Sequence, residues 1–235
     1  MNWGRVARRT AGVGLALLAL MCAYYAIEVW KARTYTTETL LPKLKDTVYP
    51  LTLADLTPRQ RGILLKVQDP AFYSHGGVDL TTPGAGLTTI TQALVKILYF
   101  EKFHPGVAKI RQTLIAAYAL DPLVGKDEQL RLFINLIGLG EGTHGFEEGA
   151  RHYFGKDFRG LDEDQYLALV AMIIAPRNFS LSQHPERNRE RVARIKRLVA
   201  GEYQPKGLCD LYYGPLDPET QKGLAPFSYF AFYYK

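Results

Sequence analysis

An unbroken apolar run from Ala11 to Ile27, continued by Val29 and Trp30 past Glu28, constrains this chain before any other feature does. At about 1.5 Å of rise per residue, a helix of this length sits near the lower limit for crossing the hydrocarbon layer of a bilayer. Arg5, Arg8 and Arg9 precede the run, and Lys31 and Arg33 follow it. That modest positive-inside bias favours a short cytosolic N-terminus with the body outside. A cleaved signal peptide is the competing reading. No A-x-A sequence follows the run, and Met21 before Cys22 fits a lipoprotein site poorly. The expectation is an uncleaved, single-pass anchor.

The remaining patterning divides the chain into a cytosolic N-terminus (1–10), the transmembrane anchor (11–30), a stalk (31–60), a body (61–202) and an aromatic C-terminal tail (203–235). Pro42, Pro50 and Pro58 interrupt the Thr-rich stalk. From about Thr57 to Glu202 helical periodicity dominates, so the predicted fold class is mainly α. Arg59 to Val67 reads as a helix. Ile90, Leu94, Ile97 and Leu98 repeat at i, i+4, i+7 and i+8, and Ile110, Leu114, Ala117 and Tyr118 form a comparable apolar stripe. Leu130–Ile137 and Tyr166–Ile174 are apolar nearly all round, the pattern of buried helices. Val192, Ile195, Leu198 and Val199 line one side of a basic helix whose charges, Arg187 to Arg197, read as a solvated or lipid-facing surface. After Gly207 the periodicity fails, and Phe227–Tyr234 is strongly aromatic, suited to a membrane interface or to packing on the body.

The net charge of +6 suits anionic lipid, a phosphate-bearing substrate or nucleic acid. No nucleic-acid motif occurs, and basic residues do not interleave with aromatic ones, so no nucleic acid partner is expected. The two cysteines, Cys22 and Cys209, would lie in different compartments, which excludes a disulfide framework and a Cys-rich metal site.

Four segments carry chemistry-bearing residues. Gln68-Asp69-Pro70-Ala71-Phe72-Tyr73-Ser74-His75-Gly76-Gly77-Val78-Asp79 is followed by Gly86-Leu87-Thr88-Thr89-Ile90-Thr91-Gln92-Ala93-Leu94-Val95-Lys96. A helix from Lys109 to Asp121 comes third. The fourth, Lys126 to Asn135, continues through Gly140, Gly142, Gly145, Ala150, Tyr153, Phe154 and Lys156. In order and spacing these resemble the peptidoglycan glycosyltransferases (glycosyltransferase family 51, the biosynthetic transglycosylase domain), with E-D-x-x-F-x-x-H-x-G-x-D, G-x-S-T-I-T-Q-Q-L-x-K, R-K-x-x-E and K-x-x-I-L-E-x-Y-L-N as the family patterns. A final helix, Leu161 to Pro176, is similar to the family's closing segment, with Gln165 where its Glu stands. The resemblance covers roughly 65 to 200 and implies a lysozyme-like helical domain.

It also implies a reaction. An acceptor hydroxyl attacks the anomeric carbon of a lipid-linked disaccharide, the polyprenyl pyrophosphate leaves, and the configuration inverts. That chemistry needs a base for the hydroxyl proton and cations or N–H donors for the charge on the pyrophosphate. Thr89, Gln92 and Lys96 share one helical face at i, i+3 and i+7 near a helix N-terminus, where backbone N–H groups favour anions. Thr88 takes the Ser position of the pattern, and Lys109 and Arg111 add charge from the third motif. Thr89-x-x-Gln92 is equally a capping box, and Lys96 equally a solvated lysine. His75 reads as a structural histidine or a substrate contact, and Asn135 as a backbone clamp or a substrate contact.

The base is the missing element. Gln68 occupies the position of the family's first Glu, and a carboxamide cannot hold a proton near neutral pH. The second Glu falls on Thr113, or on Gln112 if the count shifts by one. Asp69 is adjacent to Gln68, but on a helix it points about 100° away. Glu147 and Glu148 are acids near the glycine turn. Arg131 and Phe133 replace the Glu and Tyr of the fourth motif. Only Leu80 to Ala85 separate the first two motifs, where the family usually carries a helix and a mobile loop.

Two readings follow from the resemblance. One is an impaired member that binds lipid-linked disaccharide or glycan strand and works with membrane lipid and other wall-synthesis proteins. The other is an active transferase using Asp69 or another acid. A glycan hydrolase ranks last, since that chemistry needs a carboxylic acid of raised pKa. The residues point to no particular cofactor, and a pyrophosphate leaving group is compatible with a divalent cation.

Overall fold

The computed structural model describes residues 3–104, 106–215 and 218. Among them the chain is helical with no strand, and a single antiparallel bridge joins Gly138 to His144. The aromatic segment Phe227–Tyr234 lies outside the described residues.

Helix α1 (Trp3–Tyr35) passes without a break through a wide π-type turn at Thr36–Leu40 into α2 (Leu41–Asp46). It is the one described helix long and apolar enough to cross a membrane. Proline explains the wide turn: Pro42 has no N–H to offer the carbonyl four residues back, so the ladder re-pairs one residue further on. A second π-type turn, Ala116–Leu120, precedes Pro122 in the same way. There Tyr118, whose carbonyl the proline leaves without its helical donor, accepts a hydrogen bond from Arg33 Nη1 at 2.6 Å.

The segment expected to be a stalk packs into the body instead. Ala32, Leu40, Leu44, Leu51 and Leu56 belong to the same buried cluster as Leu64, Phe72 and Leu94, and the Thr36 hydroxyl donates to Ala32 O at 2.6 Å. The apolar residues between the prolines account for this, because they bury only by folding back onto the helices.

Helix α3 (Pro58–Gln68) starts at a capping box in which Thr57 Oγ1 accepts from Gln60 N–H. Then come α4 (Ile90–Leu98), α5 (Val107–Ile115), a single turn α6 (Asp121–Leu123), α7 (Lys126–Leu136), α8 (Gly145–Phe154), α9 (Glu163–Met172) and α10 (Pro185–Ala200). Gln165, the odd residue of the closing segment, completes another capping box, with Asp162 accepting from Gln165 N at 2.8 Å. Helices α7 and α9 form the centre, with Leu130, Leu132, Ile134, Tyr166, Leu169 and Val170 fully buried.

Two expectations about faces are corrected. The predicted stripe of Ile110, Leu114, Ala117 and Tyr118 does not face the core: Ile110 and Tyr118 are exposed and Leu114 and Ala117 half-buried, while Gln112 and Ile115 of α5 and Ala116 and Ala119 of the turn after it are buried. On α10, Arg191 is no surface charge. It is 3% exposed, donates from Nε to Ala171 O and from Nη1 to Leu211 O (both 3.1 Å), and lies among the rings of Phe179, Tyr212 and Tyr213. Its guanidinium ties the segment after α10 to the body.

That segment packs against the short connection between the first two motifs. Gly84 N donates to Gly207 O at 2.9 Å, Gly86 N donates to Leu208 O at 2.8 Å, and the Tyr213 hydroxyl donates to Val67 O at 3.1 Å.

Candidate functional site

The end of α3, the start of α4 and the middle of α5 converge, and most of the candidate residues meet there. Asp69, the C-terminal cap of α3, is fully buried. His75 Nε2 lies 2.9 and 3.0 Å from its two oxygens, and the Ile90 N–H donates to Oδ2 at 2.9 Å. The helix N-terminus of α4 does hold an anion, as its N–H groups and dipole favour, but that anion is Asp69.

The face expected to offer Thr89 and Gln92 to a substrate is turned inward. Both are buried. Thr89 Oγ1 accepts from Gln92 N at 3.1 Å and donates to Gly77 O at 2.7 Å. Gln92 Oε1 accepts from Thr89 N at 3.1 Å, and its Nε2 donates to Thr113 Oγ1 at 2.9 Å. Thr113 passes its own hydrogen to Lys109 O at 2.9 Å. The capping reading of Thr89-x-x-Gln92 therefore describes their contacts. Gly77 is needed at φ +84°, where an added Cβ would lie 2.6 Å from Ala116 O.

Gln68 ends α3 half-buried, with its Nε2 buried and without a hydrogen-bond partner. Asp79 is committed elsewhere, accepting from Thr81 N, Thr81 Oγ1 and Thr82 N at 2.8–3.1 Å. Burial pushes its carboxyl up, but these hydrogen bonds outweigh it and hold the pKa at about 2.

What remains open to an anion is a pair of lysines. Lys109 Nζ donates to the exposed Thr88 Oγ1 at 3.0 Å. Burial first, and the charge of Lys96 second, lower its pKa to about 8. Lys96 is exposed, with Nζ 5.6 Å from the centroid of Phe103. Neither lysine forms an ion pair with a carboxylate among the described residues. Two unpaired cations and a hydroxyl thus lie close together on one side of α4 and α5.

Arg111 and Asn135 stand apart from this cluster. Arg111 pairs with Glu28 of α1 at 3.1 Å and stacks on Phe100. Asn135 clamps backbone: Oδ1 accepts from Leu51 N at 3.1 Å, and Nδ2 donates to Leu51 O and Arg131 O at 2.9 and 2.7 Å. Glu147 accepts from Arg151 Nε and Phe158 N, and Glu148 caps α8 through His144 N, all at 2.9 Å. Lysines, hydroxyls and an amide do not fit a divalent cation, which takes carboxylate oxygens. Among the described residues no three His, Cys, Asp or Glu side chains are grouped to hold a metal.

The transglycosylase family profile matches residues 37–200, most of the chain. The chain belongs to the transglycosylase family. Its helical body is the family's lysozyme-like domain. It is 27% identical over 155 residues to penicillin-binding protein 1F of Bacillus subtilis, covering 60% of this chain and 22% of that protein. It is 29% identical over 166 residues to a putative transglycosylase of Cupriavidus necator, covering 62% of this chain and 71% of that one. Penicillin-binding protein 1A of Neisseria cinerea is 26% identical over 205 residues, with 75% of this chain and 25% of its own length covered. The transglycosylase chain spans about a quarter or less of the two penicillin-binding relatives. The family match begins inside the 31–60 segment, in agreement with its place in the core.

The burial of Thr89 and Gln92 had a legible signal, the capping box itself. The pairing of Lys109 with Thr88 had none, because it joins residues 21 apart in the chain.

Proposed function

We propose that the chain is a membrane-anchored, peptidoglycan glycosyltransferase-like protein. It binds lipid-linked disaccharide or the glycan strand made from it, on the outer face of a bacterial cytoplasmic membrane, and its transfer step is impaired. The carrying observation is the contrast between the two demands of the reaction at one junction. Lys96, Lys109 and Thr88 form a cationic surface suited to pyrophosphate, while the described carboxylates that follow α3, Asp69 and Asp79, are committed to hydrogen bonds within the protein. A carboxamide at Gln68 removes the general base, a loss of roughly 10²- to 10⁴-fold. Thr113 gives and accepts hydrogen bonds within the protein and offers no acid. The competing reading, inverting polymerisation with Asp69 as base, runs against that residue's full burial and its partners His75 and Ile90. The outward apolar residues Val107, Ile110 and Tyr118 suit a body resting on the membrane from which α1 emerges.

The test is incubation of the detergent-purified chain with labelled lipid-linked disaccharide, scoring binding and polymer together. Binding without polymer, weakened at least about tenfold in Lys96→Ala, with polymer appearing in Gln68→Glu, is the expected result. Polymer from the unaltered chain would overturn the impaired reading.

A further inference from the structure

A cavity of about 500 Å³ lies where the anchor helix meets the body, lined by α1, the end of α4 and α5 and not by Thr88, Lys96 or Lys109. Glu28, Lys31, Ala32 and Tyr35 of α1 form one side, and the end of α4 and Arg111 of α5 form the other. The height of this cavity along α1 is informative. The apolar run ends beside it, with Tyr24 and Trp30 exposed (Trp30 by 66%), as aromatic side chains are at the headgroup level of a bilayer.

Its charges are unevenly balanced. Glu28 is shared by two cations, Arg111 at 3.1 Å and Lys31 at 3.4 Å. One carboxylate against two cations leaves one positive charge unmatched. The Arg111 Nε, though ion-paired, is buried and makes no hydrogen bond of good geometry. On the α4 side, Glu101 lines the same cavity, is exposed, and forms no ion pair among the described residues. The cavity thus offers a surplus cation and a surplus carboxylate, and Tyr35, Tyr99 and Phe100 line it as well.

We propose that this cavity is a headgroup subsite for an aminophospholipid, with the lipid phosphate held by Arg111 and Lys31 and the ammonium held by Glu101. A zwitterion matches both surplus charges. A polyprenyl pyrophosphate would bring several negative charges against Glu28 and Glu101, which separates this site from the Lys96–Lys109 surface. The inference rests on α1 being a membrane span.

The test is native mass spectrometry of the full chain released from detergent, titrated with short-chain phosphatidylethanolamine, phosphatidylglycerol or inorganic phosphate. Vesicle flotation is run alongside. One phosphatidylethanolamine adduct, bound about tenfold more tightly than phosphatidylglycerol, is expected, with inorganic phosphate failing to displace it. Arg111→Gln abolishes both lipid adducts. Glu101→Gln, an exposed change that spares the fold, keeps the adducts and erases the preference. Equal adducts in the unaltered chain and both variants would overturn the proposal. So would displacement by inorganic phosphate, or a phosphatidylglycerol preference. A chain that floats with vesicles but carries no adduct sinks the subsite and leaves the anchor standing. A chain that fails to float sinks both.

Discussion

Lys109 Nζ donates to Thr88 Oγ1 across 3.0 Å, joining the cation of α5 to the residue just before the cap of α4. Burial, and then the charge of Lys96, lower the pKa of Lys109 to about 8. Because the folded value lies below the unfolded one, the unfolded chain binds more protons between about 8 and 10.5, and the stability contributed by this group rises with pH across that window. Ligand binding has the opposite sign, since an anion needs the charged form. The affinity for inorganic pyrophosphate is expected to hold below pH 8 and to fall by up to about tenfold per pH unit above it, with proton uptake on binding near pH 8. Calorimetry in buffers of different ionisation enthalpy measures both, and Lys109→Gln flattens the profile.

Asp69 is predicted to act on stability. Removing a buried carboxylate that holds His75 and the first N–H of α4 leaves both without their partner. Asp69→Ala is expected to cost about 3 kcal/mol and to lower Tm by roughly 6–12 °C. A variant that kept its Tm would show that the carboxylate is not part of the framework.

The segment after α10 is held by close approach. Gly86 has φ +71°, and an added Cβ would lie 2.6 Å from Leu211 Cδ2. Gly86→Ala is expected to cost about 1–3 kcal/mol and to free residues 203–215 from the body. Limited proteolysis should then cut within that segment at least several-fold faster than in the unaltered chain.

Arg191 fastens the same segment from the other side. Arg191→Met leaves the carbonyls of Ala171 and Leu211 without their donors and is expected to cost about 2–4 kcal/mol. Chemical denaturation checks the size. A double variant with Gly86→Ala should be less than additive, because both act through residues 207–213.

Much of this protein was legible in its sequence. The apolar run marked α1, period-3.6 patterning located α4 and α10, runs apolar nearly all round located α7 and α9, and the absence of a carboxylate at Gln68 and Thr113 is a matter of residue identity alone. Capping boxes at Thr57 and Asp162 set two helix starts by contacts within four residues, which any sequence reading can reach. Tertiary structure decided which faces are used. A hydrophobic stripe says that two sides of a helix differ, but not what each side meets: α5 buries Gln112 and presents Val107 and Ile110 outward. Asp69 became the anion at the N-terminus of α4 because a chain reversal brings Ile90 N within 2.9 Å, a pairing 21 residues apart that no local pattern encodes. The same holds for Arg191, whose charge is sheltered only because carbonyls from α9 and from the segment after α10 arrive around it. Local hydrogen bonding and residue chemistry are written along the chain, whereas burial and long-range pairing exist only once it has folded.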